Sequence, residues 1–235
     1  MSALLVIGGM LLLLVLRQPL LVILLGLAAA VQLVWGRGHL EDIVEDLWVA
    51  LDKEMILAIP LFLLCGGVMT RGSAAQRLVR IAAALTGHIP GGLGVACILA
   101  CMVFASISGS SVVTMLAVGG VMLPAMQRAG YSSRFALGTV LAGGSLGVVL
   151  PPSVPLIIYG LITETSLVDL FKAGLLPGLL LVLLFAAWAM WVNRAAPRQP
   201  FKGDELRQAL RHGLWSALMP VLLLGGIYTG WFSIV

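Results

Sequence analysis

The sequence predicts an all-α polytopic membrane protein, and three observations carry that prediction. The first is composition: of 235 residues, 60% are hydrophobic and 10% charged, against about 25% charged in soluble domains. At a mean hydropathy of +1.09, a soluble monomer of this size could not hide its apolar surface in a core. The second is the recurrence of stretches without Asp, Glu, Lys or Arg, at 1–16, 18–36, 55–70, 81–127, 135–163, 173–193 and 212–235. About 20 helical residues span a bilayer core of ~30 Å. The third is the 28 glycines, a residue commoner in membrane helices than in soluble ones.

The elements follow in chain order. Only Arg17-Gln18-Pro19 interrupts 1–36, which predicts a helix–turn–helix. Met1-Ser2-Ala3-Leu4 shows neither a basic n-region nor a cleavage site, so the first segment reads as an uncleaved membrane segment. Over 39–54, Leu40, Ile43, Val44, Leu47 and Leu51 recur at helical spacing with acids opposite, an interfacial helix or a helix extension. Residues 1–54 thus read as a scaffold hairpin plus amphipathic connector. The short stretch 55–70 contains Pro60 and must recruit its flanks. In 73–85, Arg77 and Arg80 lie beside Leu78, Val79 and Ile81, which suits a cytoplasmic arm at the membrane interface or a solvated connector. Residues 55–90 combine that membrane helix and arm.

The run 81–127 is too long for one helix. Its middle, Phe104-Ala105-Ser106-Ile107-Ser108-Gly109-Ser110-Ser111, reads as a turn. The flanking arms, 91–105 and 112–127, reach about 22–24 Å at 1.5 Å per residue, short of the ~30 Å core. Short arms meeting at a Ser/Gly tip describe a re-entrant hairpin over 91–127, whose tip must be buried in protein or face water. Two ordinary helices with a polar loop outside the membrane fit the spacing equally well. In 128–172, Gly143-Gly144-Ser145, Gly147 and Pro151-Pro152-Ser153-Val154-Pro155 predict a helix broken in mid-membrane. Proline lacks a donor and forces the residue before it out of helical geometry. Two further membrane helices joined by a basic cytoplasmic loop complete the chain over 173–235.

The net charge of +4 reports orientation, not nucleic acid. A topology with the N-terminus outside places Arg17, Arg71, Arg77, Arg80, Arg128, Arg134, Arg194, Arg198, Lys202, Arg207 and Arg211 inside. Only Arg37, Lys53 and Lys172 then lie outside, as the positive-inside rule requires. The acids Glu41, Asp42, Glu45, Asp46, Asp52, Glu54, Glu164 and Asp169 fall outside, Asp204 and Glu205 inside. The hairpin then enters and leaves on the cytoplasmic side.

The sequence offers no enzyme chemistry. The Ser-rich tip has no base beside it, His88 and His212 stand alone, and there is no phosphate loop of the G-x-x-x-x-G-K-[ST] type or redox-cofactor motif. Cys65, Cys97 and Cys101 lie in apolar runs without ligands at metal spacing, and read as packing residues. The deep segments carry no carboxylate, which argues against a proton relay. They offer hydroxyls, freed carbonyls and helix ends: Ser106, Ser108, Ser110, Ser111 and Thr114 at the hairpin, Ser145 and Ser153 at the break. Such groups hold hard cations and anions in discontinuous-helix transporters. Gly119, Gly120, Gly143 and Gly147 read as close-packing positions.

Several motifs resemble the large membrane subunit of tripartite ATP-independent periplasmic (TRAP) transporters. They are Ala58-Ile59-Pro60-Leu61-Phe62, Gly66, Arg71-Gly72 and Gly87-His88, then the Phe104–Ser111 run with Leu123-Pro124-Ala125-Met126 and Gly130-Tyr131. Pro151-Pro152-Ser153-Val154-Pro155-Leu156-Ile157-Ile158-Tyr159-Gly160 is the strongest; Ala173-Gly174-Leu175-Leu176-Pro177-Gly178 and Gly225-Gly226-Ile227-Tyr228-Thr229-Gly230 continue the series. The resemblance implies a bacterial inner-membrane permease for carboxylate-bearing solutes, driven by a Na⁺ gradient and using no cofactor beyond that coupling ion. It implies three kinds of protein partner in the bilayer or beside it: a small four-helix membrane subunit, a periplasmic solute-binding protein, and a second-half permease chain or another copy. It also implies an elevator mechanism. Carried over by position, Ser106, Gly109, Ser111, Pro152 and Ser153 would contact substrate, and Ser108, Ser110, Gly144 and Ser145 would hold Na⁺.

The family's large subunit is about twice this length and consists of two inverted repeats, each with a hairpin and a broken helix. The resemblance covers the first. Where the family continues into the second, this sequence reads Gly230-Trp231-Phe232-Ser233-Ile234-Val235. The expectation is a transport half that needs a complement. Two alternatives stand beside it: a truncated, non-transporting scaffold or assembly subunit, and half of another two-hairpin anion permease.

Overall fold

The computed structural model describes residues 2–36, 39, 41–53, 55–194 and 200–231. Met1, Arg37, Leu40, Glu54, Arg198 and the closing Phe232-Ser233-Ile234-Val235, which entered the expectations above, lie outside the described residues. Among the described residues all regular structure is helical, in eleven helices. The chain divides into two compact units, Met1–Glu54 and Met55–Val235.

In the first unit, α1 (Ser2–Val15) and α2 (Leu20–Trp35) pack against each other. The turn is made by Arg17 at φ 53° and by Pro19, which caps α2. Of the two helices' described side chains, Ile23 alone is buried. Helices apolar on every face suit lipid rather than water. Their 14 and 16 residues reach only about 21–24 Å. The amphipathic α3 (Glu41–Leu51) opens with Glu41 and Asp42 in its first turn, where the helix dipole favours acids. It is tied to α2 by Gln32 Nε2 donating to Asp42 Oδ2 at 2.9 Å.

In the second unit, α4 (Met55–Arg71) contains Pro60, and the chain bends by 70° into α5 (Ala74–Thr86). The arm helix α5 has a sharply divided surface. Ala75, Leu78, Val79, Ile81 and Ala82 are buried while Arg77 and Arg80 are exposed. The core is built around α6 (Gly92–Ser108), buried over most of its length and packed against α5, α7 (Ser111–Arg128), α8 (Ser133–Val149) and α10 (Leu167–Val192). Small side chains permit this crowding. Ala96, Cys97, Ala100 and Cys101 are almost fully buried, and a Cβ on Gly143 of α8 would come within 2.8 Å of Cys101 Sγ. Phe104, Val118, Met122 and Met126 fill the remainder of the α6–α7 seam.

Three boundaries differ from the sequence expectation, each for a local reason. The hairpin turn shrinks to Gly109 and Ser110, because α6 runs through Ser106 and Ser108. Ser106 Oγ donates to Met102 O at 3.0 Å, one turn back, so that hydroxyl does not compete with the helix. The arms are therefore 17 and 18 residues, about 25–27 Å. By length and composition α7 could itself cross a membrane. Second, α10 begins at Leu167, capped by Ser166 Oγ accepting from Asp169 N, although Asp169 and Lys172 fall in its first turns. Both are exposed and lie one turn apart at 3.8 Å. Third, α11 (Gly203–Tyr228) starts well before 212, with Asp204 and Glu205 at its positive end.

The break in the second span falls at Leu150–Ser153, between α8 and α9 (Val154–Thr163). Together they form a 31-residue apolar candidate span, Ser133–Thr163. By length and composition, Leu167–Val192 and Gly203–Tyr228 are further candidate spans among the described residues.

Candidate functional site

Four helix ends meet where the hairpin tip docks on the broken helix. The C-termini of α6 and α8 present carbonyls, and the N-termini of α7 and α9 present N–H groups. Gly109 ends α6 in the left-handed region at φ 60°, where a side chain costs about 1–2 kcal/mol. Its carbonyl accepts a hydrogen bond from Val154 N at 3.3 Å, so the tip caps the start of α9. The approach is close: a Cβ on Gly109 would lie 2.7 Å from Pro152 O. One turn of α8 touches the other side of the tip, where a Cβ on Gly147 would lie 2.8 Å from both Ser110 C and Ser111 N. Gly144, a turn earlier, lies against Met115, with Ser111 O at 3.4 Å from its would-be Cβ. From α4, Gly66 abuts Ser108, its would-be Cβ 3.0 Å from Ser108 Cβ.

Most of the side-chain hydroxyls in this cluster have partners within it. Ser108 is 1% exposed and Thr114 fully buried, and their hydroxyls share a 2.9 Å hydrogen bond across the turn. Ser108 Oγ also lies 3.4 Å from Ser110 O, and accepts from Ser110 N at 3.4 Å. Ser153, buried, donates to Val148 O at 2.6 Å and so covers a carbonyl that the break frees. Ser111 Oγ is buried with no hydrogen-bond partner, a costly state for a hydroxyl unless a ligand completes it. Neither α7 nor α9 has a side-chain cap at its N-terminus. Pro151 and Pro152, joined by a cis peptide bond, are fully buried beneath the tip. None of these side chains titrates near neutrality.

The structure thus gathers Ser108, Gly109, Ser110, Ser111, Pro152, Ser153 and Gly144 in one place. Ser106 belongs to the same helix end, but its hydroxyl is turned back along α6. Ser145 is not brought in. It is exposed on the other face of α8, and its Oγ donates to Ala142 O at 2.7 Å. One residue is a rotation of about 100° on a helix, which separates Ser145 from Gly144. Two contributors, Gly147 and Gly66, stand in the sequence only as packing or motif positions. The signal for Gly147 was its place on the Gly143 stripe, at i+4; Gly66 had none. Chemically, the cluster can offer oxygens to a hard cation and N–H groups to an anion, and both lie at ends of discontinuous helices.

Comparison with known proteins places the chain in a family. The family model described as tripartite ATP-independent periplasmic transporter, DctM component, matches residues 7–235. The C4-dicarboxylate TRAP transporter large permease protein DctM of Pseudomonas aeruginosa is 41% identical over 213 residues, covering 89% of this chain and 50% of that protein. The ectoine TRAP transporter large permease protein TeaC of Halomonas elongata is 38% identical over 201 residues, 84% of this chain and 47% of that protein. The isethionate TRAP transporter permease protein DctMQ of Oleidesulfovibrio alaskensis is 36% identical over 214 residues, 88% of this chain and 33% of that protein. The chain spans about half the length or less of these curated relatives. The chain therefore belongs to the DctM family of TRAP transporter large permeases, bacterial membrane transport proteins rather than enzymes.

Proposed function

We propose that this chain is one inverted-repeat half of a Na⁺-coupled TRAP importer for small carboxylate-bearing solutes, working by an elevator movement. The observation that carries the reading is the docked pair of broken elements, the α6–α7 tip held on the α8–α9 break by Gly109 and Gly147. A two-residue turn sealed by protein satisfies the backbone in the way that membrane depth demands, which supports a re-entrant hairpin over an external loop. Ser108, Ser110 and the backbone at Gly144 supply Na⁺ oxygens. The unpartnered Ser111 hydroxyl, the N-terminus of α7 and the Gly109, Pro152 and Ser153 surface receive the solute's anionic group, with Ser106 supporting the tip. Solutes named for the relatives, a C4-dicarboxylate, ectoine and isethionate, all carry a carboxylate or sulfonate, which suits a helix N-terminus.

In this reading the protein lies in the bacterial inner membrane with its N-terminus outside. It works with a small four-helix subunit, a periplasmic binding protein, and a second repeat that covers the outward face bearing Ser145. Reconstitution tests it. With those components in proteoliposomes, an inward Na⁺ gradient is expected to drive accumulation of a carboxylate delivered by the binding protein. Uptake indifferent to Na⁺ would point to another two-hairpin anion permease. No uptake with any second-half chain would favour the scaffold reading.

A further inference from the structure

We infer that the groove between α5 and α11 binds a phosphate-ester anion, the kind of group carried by an anionic membrane lipid. The groove encloses a cavity of about 460 Å³, within the range of small-ligand sites. It lies beside His88, just ahead of α6, and so at the opposite end of that helix from the hairpin tip, about 25 Å along its axis.

Local sequence builds it. Arg77 and Arg80 stand one turn apart on the exposed face of α5, whose other face is committed to the core. On α11, Glu205, Gln208 and His212 lie at successive turns of one face. Gly213 lets the two helices close: a Cβ there would meet Ile81 Cδ1 at 2.6 Å and Arg77 Cβ at 3.4 Å. Ala83, Ala84 and Ala209 keep the floor shallow and apolar. Phe201 closes one end, with the His88 ring edge-on at 5.5 Å. His212 Nδ1 donates to Gln208 O at 2.8 Å, which fixes that ring as well.

The charge is one-sided. Among the described lining residues Glu205 is the one acid, and it is occupied by Lys202 at 2.8 Å. That contact holds the Lys202 ammonium above its usual range, and the two opposite charges offset each other in the lining. Arg77 and Arg80 are left as the uncompensated cations of the lining. Two guanidinium forks over an apolar floor match a phosphate attached to an organic body. Basic pockets between helices at the cytoplasmic side bind lipid headgroups in the same way.

The test uses the purified chain in detergent, titrated with short-chain phosphatidylglycerol or phosphatidylcholine and read by native mass spectrometry. Phosphatidylglycerol is expected to be retained in preference to phosphatidylcholine. At about 1 kcal/mol per basic residue, Arg77→Gln should weaken retention about fivefold, and Arg77→Gln with Arg80→Gln about thirtyfold. Glu205→Gln, which frees Lys202, should tighten it about fivefold; this variant carries the test if the arginine variants do not fold. Arg128→Gln, outside the lining, should change nothing. Displacement of the lipid by millimolar inorganic phosphate would identify a soluble phosphate ester as the occupant; resistance to it would identify the lipid. Equal retention of both lipids without phosphate binding, or unchanged retention in Glu205→Gln and the double variant, would overturn the inference.

Discussion

Gly109→Ala is expected to destabilise the protein by about 2–5 kcal/mol, read as a fall in thermal midpoint in detergent. Two costs add. A side chain at φ 60° costs about 1–2 kcal/mol. The new Cβ would also sit 2.7 Å from Pro152 O, a backbone atom that cannot swing aside, and overpacking of this kind costs about 1–3 kcal/mol. Gly130 separates the two. It too has positive φ, 86°, but nothing lies within 4 Å of its would-be Cβ, so Gly130→Ala should show only the conformational cost. Gly120→Ala, helical and open, should be neutral or stabilising by up to about 1 kcal/mol. Equal shifts for Gly109→Ala and Gly130→Ala would mean that the tip does not rest on the break. Gly109→Ala should also abolish uptake in the reconstituted transporter, since relief of the clash must lift the tip off Val154 and the start of α9.

On the proposed Na⁺ reading, loss of the Ser108 hydroxyl should raise the Na⁺ concentration for half-maximal uptake about tenfold or more, and loss of the Thr114 hydroxyl that orients it should raise it by less. The pair is buried and its oxygens are 2.9 Å apart. A hydrogen bond or ligand contact to a charged group is worth about 1.5–3 kcal/mol, and 1.4 kcal/mol is already tenfold. Thr114→Val preserves shape and removes the oxygen alone. Ser108→Ala also removes the acceptor for Ser110 N, so its effect should be the larger. Ser145→Ala should move the curve less than twofold, because its hydroxyl faces outward and bonds Ala142 O. Unchanged Na⁺ activation in both Ser108→Ala and Thr114→Val would reduce the tip to packing.

Much of this architecture is legible in the sequence, because a bilayer punishes charge and because prolines set side by side cannot continue a helix. Arg17-Gln18-Pro19 marks the first turn and Pro151-Pro152 the break, and both stand where the sequence places them. Charge-free length is a poorer ruler at helix ends. Asp169 and Lys172 look like a boundary but lie as an exposed pair on the first turns of α10. Serine content likewise misjudges the tip, since Ser106 meets its hydrogen-bonding need within α6. The contacts that make the site, Gly109 on Pro152 and Gly147 on Ser110, join segments some forty residues apart and leave no mark in local pattern. Helical phase does separate them: Gly143 and Gly147 share a stripe, and Ser145 lies across the helix from it.

The proposed transporter half requires a hairpin tip sealed in protein at membrane depth rather than in an outer aqueous loop. It is tested by single cysteines in a background with Cys65, Cys97 and Cys101 replaced by alanine. Val112 lies in the first turn of α7, two residues past Ser110, and is 59% exposed on the isolated chain, so water at the tip would reach it. Thr165, in the turn after α9, is the control for the outer side, and Arg128, at the end of α7, for the inner side. In intact cells an impermeant maleimide is expected to label Thr165→Cys and to leave Val112→Cys and Arg128→Cys unmodified, with Arg128→Cys reacting only in inverted vesicles. Rapid labelling of Val112→Cys from outside, at the rate of Thr165→Cys, would contradict the claim and make α6 and α7 two ordinary membrane helices.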